Sequence, residues 1–305
     1  MTGDAPSPDK SALLLRHAAA LAAESGASAV FVYADALPPG GPPVDVGARL
    51  VVACRGAEQE QALAERGYQR TVRVPPVTLT RMGQIKVAVL VALSRGLLQP
   101  GDRIVCLAGA RHDQVDLLLV TEVGTEHEAF VAPSGAELSA PNVTPEVVAR
   151  VLELAVELAG EGREGKPVGT LFVVGDMERV KPLTRQMILN PFFGYPEDQR
   201  NVLGDVLGET LKELAVVDGA FLIRGDGVVE AAGAFLKTSA LPEEGLPSGL
   251  GARHQAAAGI TYVTDCLAVV VSESTGTVSV FRGGKIVAEL ERVRRAVTRR
   301  RGGGQ

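Results

Sequence analysis

Cysteine is scarce in this chain: Cys54, Cys106 and Cys266 are the three among 305 residues, each inside an apolar run of Val, Leu and Ala. Their wide spacing offers neither a CxxC metal pair nor a disulfide framework. They are expected to be small buried hydrophobes in a reducing compartment. Histidine is almost as rare, and nothing in the spacing of the four resembles a zinc site. His17 falls on an apolar helix face and is expected to pack there, while His112 and His127 lie in loop-like sequence. No apolar stretch reaches the roughly 20 residues needed to cross a bilayer. Met1 to Lys10 carries Asp and Pro in place of a basic-then-apolar signal. These absences predict a cytoplasmic protein with no membrane partner. Positive charge is in deficit, with 31 Lys and Arg against 36 Asp and Glu. That argues against sequence-independent binding of nucleic acid, which needs a clustered basic surface. The exception is the C-terminus, where Arg292, Arg294, Arg295, Arg299, Arg300 and Arg301 crowd together ahead of three glycines. Such an end is expected to be a basic, frayed tail.

What remains, 46% hydrophobic and 22% charged with no tryptophan, is the composition of an ordinary α/β protein. The length favours two domains. Helical spacing at 11–25, 57–66 and 84–95 alternates with short apolar strands at 29–33, 49–54, 70–74, 103–107 and 117–123. That alternation predicts a parallel sheet covered on both faces. Residues 126–144 change character through Pro133, Ser134, Gly135, Pro141 and Asn142, and read as a linker. From residue 145 the pattern restarts: a helix over 146–161, a strand over 169–174 and a long helix over 197–214. Strands follow at 220–223, 228–236, 267–271, 277–281 and 285–290, with Gly283-Gly284 as a tight hairpin turn. The expected organisation is an α/β domain over 10–125, a linker, a second α/β domain over 145–291, and the tail 292–305.

Three features of the second domain carry chemistry. Asp218-Gly219-Ala220 ends an apolar approach and opens a strand. A carboxylate there, followed by glycine, can meet a ligand, hold a divalent cation or orient a hydroxyl. It can equally be a turn Asp bonded to its own backbone. Gly251-Ala252-Arg253-His254 begins a small-residue helix. Arg and His beside the free N–H groups of a helix start form a natural phosphate site, or else a solvated Arg and a packed His. Ser272-Glu273-Ser274-Thr275-Gly276 joins two strands. Its residues suit a tight turn on geometry alone, and its hydroxyls and carboxylate can also face phosphate, ribose or metal.

Together, Asp218–Ala220, Arg253-His254, the GIT..TD run at Gly259 to Asp265, the turn at Ser272 to Gly276 and the hairpin after it resemble the diadenylate cyclase family. This is the nucleotide-binding domain first associated with DNA integrity scanning proteins. The resemblance is high over roughly 75 residues and weaker back to about residue 145. It implies an α/β fold with a central mixed sheet, and a nucleotidyltransferase that joins two ATP into cyclic di-AMP, releasing two pyrophosphates. It also implies a face-to-face homodimer or higher homo-oligomer, each half holding one ATP with Mn2+ or Mg2+. By the same resemblance Asp218, Arg253 and His254 are catalytic, and Asp218 and His254 hold the metal. The nucleotide site comprises Asp218, Gly219, Ala220, Leu236, Ala252, Arg253, His254, Ser272, Glu273 and Thr275, with Gly219 giving backbone access and Leu236 flanking adenine. Many members read Gly-Thr-Arg-His-Arg where this chain has Ala252 and Gln255. The departure leaves a turnover-deficient adenine-nucleotide sensor as the alternative, and a nucleic-acid binder acting through the arginine tail as a third reading. The N-terminal half is similar, more faintly, to the C-terminal domain of pyruvate kinase, through AAESGASAVFVYA and RGLLQPGDRIVCLAGAR. Its expected role is oligomerisation or regulation.

Overall fold

The computed structural model describes residues 10–38, 44–46, 49–76, 79–109, 114–124, 140, 142–163, 166–204, 206–237 and 250–290. The N-terminal unit opens with α1 (Lys10–Ser25), β1 (Ala29–Tyr33), β2 (Arg49–Cys54), α2 (Ala57–Glu65) and β3 (Thr71–Arg73). It closes with α3 (Arg81–Ser94), β4 (Arg103–Ala108) and β5 (Leu117–Glu122). The strands stand in the order β3-β2-β1-β4-β5. Alternate residues separate two apolar layers, as strand geometry requires. Phe31, Tyr33, Val51, Ile104 and Cys106 face α3, whereas Val30, Val32, Val52, Cys54 and Val105 share a cluster with Leu15, Ala18 and Ala22 of α1 and Leu63 of α2. Thr80 starts α3 by accepting the Gly83 N–H at 2.9 Å. All three cysteines are buried and free, and burial pushes the Cys54 thiol up to about 11 and Cys266 up to about 12.

The C-terminal unit continues with α4 (Pro145–Glu161), β6 (Thr170–Val174), α5 (Met177–Val180), β7 (Thr184–Gln186), α6 (Leu207–Leu214), β8 (Ala220–Ile223) and β9 (Val229–Leu236). It ends with α7 (Ala252–Val263), β10 (Leu267–Val271), β11 (Val278–Arg282) and β12 (Lys285–Leu290). Its seven-stranded sheet, β12-β11-β10-β6-β8-β9-β7, is mixed: β6 and β8 run parallel and the other neighbours antiparallel. One face, through Phe172, Phe221, Val269 and Val280, packs on α4 and α6. The other, through Leu171, Leu222, Val270 and Phe281, packs on Ala257, Ala258 and Ile260 of α7. The small side chains of Ala257 and Ala258 let α7 lie close to the sheet. Lys212, almost buried, ties α6 to α4 by reaching Glu157 at 2.6 Å. Helix α3 joins the α4 face and also meets β12, so one apolar cluster runs through both units.

The structure corrects several expectations. β5 runs antiparallel to β4, because residues 109–116 are too few for the crossover that a parallel neighbour needs. The single helix expected over 197–214 is instead a 3-10 turn at Glu197–Arg200 followed by α6. Asn201 breaks it: its backbone bridges Val228, its Nδ2 donates to Asp226 O, and its Oδ1 accepts the Leu203 N–H. The edge strand β7 and the short α5 were not expected. His17 is exposed on α1, not packed, because Leu15, Ala18 and Ala22 form the buried face. The turn at Gly283 and Gly284 has φ +55° and +79°, as a two-residue hairpin turn demands. His112, His127, nearly all of the linker and the arginine tail lie outside the described residues.

Candidate active site

Three segments far apart in sequence meet at one end of the seven-stranded sheet: the entry to β8, the start of α7, and the turn between β10 and β11. They line a cleft of about 790 Å³. At its centre lies the Arg253 guanidinium. It donates toward Asp218 Oδ1 at 3.4 Å and toward Glu273 Oε2 at 3.5 Å, partners 35 and 20 residues away. Arg253 is about one-third exposed and its Nε is buried without a partner among the described residues, whereas the Asp218 side chain is 77% exposed. The guanidinium is thus held on two sides and open on the third. Gly169, just before β6, lies against Arg253 and Glu273: a Cβ there would stand 2.7 Å from Arg253 Nη1 and 2.8 Å from Glu273 Cβ.

His254 lines the same cleft but is only 8% exposed, set edge-on to Phe281 with ring centroids 6.0 Å apart. Burial pulls its pKa below the ordinary imidazole value, against a smaller upward pull from Glu289, so the ring is neutral near pH 7. Its Nε2 sits 3.5 Å from Ser279 Oγ. The β10–β11 turn is closed by the Ser272 N–H to Thr277 O and the Gly276 N–H to Ser272 O. Its hydroxyls also bond among themselves, Thr275 Oγ1 donating to Thr277 Oγ1 at 2.9 Å. The geometric reading of that turn is therefore satisfied, and Ser272, Ser274 and Thr275 still border the cleft.

Of the residues singled out from sequence, Asp218, Ala252, Arg253, His254, Ser272, Glu273 and Thr275 converge on the cleft. Gly219, Ala220 and Leu236 do not line it. Gly219 lies against the backbone of Gly233 on β9, and Ala220 and Leu236 are buried under α7. Sequence reasoning missed Gly169, Ser279 and Glu289. Only Ser279, a polar residue inside the apolar run VSVF, left a signal.

The charge of the lining tests whether a divalent cation belongs here. Asp218, Glu273 and Glu289 oppose the single Arg253. A polyphosphate would be repelled by that balance unless a cation came with it. Among the described residues no group of three or more His, Cys, Asp or Glu could hold a metal. Cations such as Mg2+ bind through one or two carboxylates plus substrate phosphates, and Asp218 and Glu273 bring carboxylates to the cleft. The residues fit such an ion.

Residues 157–286 match the family model described as "DisA bacterial checkpoint controller nucleotide-binding". Over 209 residues, 68% of this chain, the sequence is 36% identical to a diadenylate cyclase of Haloferax volcanii, covering 75% of that protein. The chain belongs to the diadenylate cyclase family. A diadenylate cyclase of Methanocaldococcus jannaschii is also 36% identical over 209 residues, covering 66% of its length. A solved structure of DacA from Staphylococcus aureus overlaps 46% of this chain and 84% of its own, at 26% identity and a TM-score of 0.32. Residues 10–131 match a second family model, described as "Probable sensor domain DacZ_P". As a diadenylate cyclase the chain is an enzyme of the nucleotidyltransferase class.

In this diadenylate cyclase, Gly169→Ala is expected to displace the Arg253 guanidinium, because the new Cβ meets both it and the Glu273 backbone N, 3.2 Å away. With Arg253 in the phosphate-binding role that the resemblance implies, losing one charge-assisted contact should weaken nucleotide binding about tenfold. Calorimetry with 3′-deoxy-ATP, an analogue without a 3′-hydroxyl, reads this. Unchanged affinity would show that Arg253 has room to move.

Proposed function

We propose that this chain condenses two ATP molecules into cyclic di-AMP and two pyrophosphates across a face-to-face homodimer. The observation that carries the proposal is the Arg253 guanidinium, fixed between Asp218 and Glu273 and open to a cleft of nucleotide size. Each cleft supplies one such arrangement, while the product needs two equivalent phosphoryl transfers. Two clefts must therefore face each other. Each 3′-hydroxyl attacks the α-phosphorus of the opposite ATP, the P–O bond to pyrophosphate breaks, and the hydroxyl proton leaves toward Asp218. Arg253 offsets charge on the phosphate, and Ser272 and Thr275 with the start of α7 border the triphosphate. Asp218 and His254 would hold Mn2+ or Mg2+, which supplies charge neutralisation that the acidic cleft lacks. Positioning of the two nucleotides provides much of the rate.

No helix among the described residues is long and apolar enough to cross a membrane, in keeping with a cytoplasmic enzyme. The N-terminal five-stranded unit, joined through residues 126–144, serves assembly or regulation. Incubating the full chain with ATP and either Mn2+ or Mg2+, then weighing the products by mass spectrometry, is expected to show cyclic di-AMP. Binding of ATP without product under both cations would instead make the chain a nucleotide sensor, with Ala252 and Gln255 the first positions to revert.

A further inference from the structure

Ser279 on β11 and Glu289 on β12 are direct cross-strand partners, so their side chains share one face of the sheet. Both line the cleft, and the face is the one that carries α7 and His254. Ser279 is fully buried, and its hydroxyl donates to Glu289 Oε1 at 3.3 Å while lying 3.5 Å from His254 Nε2. A hydroxyl has one proton. If it goes to the carboxylate, the Ser279 oxygen can only accept from the imidazole, which places the ring proton on Nε2 and leaves the lone pair on Nδ1.

We propose that Glu289 and Ser279 are positioning residues that hold His254 as its Nε2–H tautomer, with Nδ1 presented as the ligand or acceptor atom. The proposal rests on the cyclase reading for what Nδ1 does, and on geometry alone for which nitrogen carries the proton. Outer partners of this kind fix ring orientation and tautomer at nitrogen-ligand sites, and losing them costs about 10–100-fold. The neighbours of Glu289 on its strand, Ala288 and Leu290, belong to the apolar cluster that includes α3. The strand that steadies His254 is therefore also the strand the N-terminal unit touches.

The test uses the full chain with 15N-labelled histidine, whose four imidazoles are resolved by two-bond 1H–15N spectra and His254 assigned by its loss in His254→Gln. The wild type is expected to show the Nε2–H pattern at His254. Ser279→Ala and Glu289→Leu should each give a mixture of tautomers. Glu289→Gln should keep the wild-type pattern, since its amide oxygen still accepts from Ser279. In turnover, Ser279→Ala and Glu289→Leu should lose about 10–100-fold in kcat, with affinity for 3′-deoxy-ATP within about twofold. The double variant should be no worse than either single change, as for residues acting through one contact. An Nδ1–H pattern in the wild type overturns the proposal. So does a Ser279→Ala protein with both tautomer and kcat unchanged. If the wild type makes no cyclic di-AMP, the cyclase reading fails while the tautomer spectra still decide this one.

Discussion

Asp218→Asn is expected to abolish cyclic di-AMP formation while leaving the fold and ATP binding in place. The side chain is 77% exposed, and it pairs with Arg253 at 3.4 Å. Exposed ion pairs are worth about 0–1 kcal/mol, so the melting temperature should move by about 4 °C or less. Asparagine keeps the size and an acceptor oxygen, and loses the charge and the ability to take a proton. In the proposed mechanism Asp218 is both general base and metal ligand; removing a general base alone costs about 100–10,000-fold, and losing the metal ligand adds to that. Affinity for the nucleotide measured without added divalent cation should be unchanged or tighter, because one of three negative charges in the lining has gone and Arg253 has lost a competitor. That split separates a catalytic Asp218 from a merely structural one. Folded Asp218→Asn protein with undiminished turnover would remove the carboxylate from the mechanism.

The same residues show what could be read from the chain and what could not. Strands such as Ala29–Tyr33 and Leu267–Val271 are short, continuous apolar runs, and their position needs no tertiary information. β7, Thr184–Gln186, is a polar three-residue edge whose strand character exists only because β9 pairs with it. The helix expected over 197–214 failed because the side chains of Asn201 and Arg200 are spent on the backbone of the 226–229 segment, an interaction invisible to periodicity. In the site, Asp218, Arg253 and Glu273 were legible only as a set of motifs resembling one family. Each alone has an ordinary turn or helix-start explanation, and the turn explanation for Ser272–Gly276 proved true as well. Glu289 was illegible because its meaning comes from register: it matters through Ser279 opposite, and register is a property of the pair. Gly219 was legible as a position that needs glycine, whereas its contact with the backbone of Gly233 on β9 was not.

That neighbour makes Gly219→Ala the substitution with the largest expected effect on stability. Gly219 has φ +105°, a conformation L side chains rarely adopt. A Cβ there would stand 2.6 Å from Gly233 C, 2.8 Å from Ala234 N and 2.8 Å from Gly233 Cα. All three are backbone atoms of β9, so no side chain can rotate out of the way. At Gly233 itself a Cβ would stand 2.6 Å from Ile188 Cγ1 and 3.6 Å from Asp218 O, so the two glycines let β8 and β9 approach each other closely. The cost combines about 1–3 kcal/mol of backbone strain with about 1–3 kcal/mol of overpacking. Together these should lower the melting temperature by roughly 5–20 °C. The separation of β8 from β9 that relieves the clash carries Asp218 with it, so turnover should fall too. The signature differs from that of Asp218→Asn: here stability and activity drop together, and nucleotide affinity drops with them. Thermal unfolding followed by circular dichroism, run beside the product assay, reads both. A Gly219→Ala protein that melts within about 2 °C of the wild type and keeps its activity would mean that β9 yields at Gly233, and that the glycine is needed neither for the sheet nor for the site.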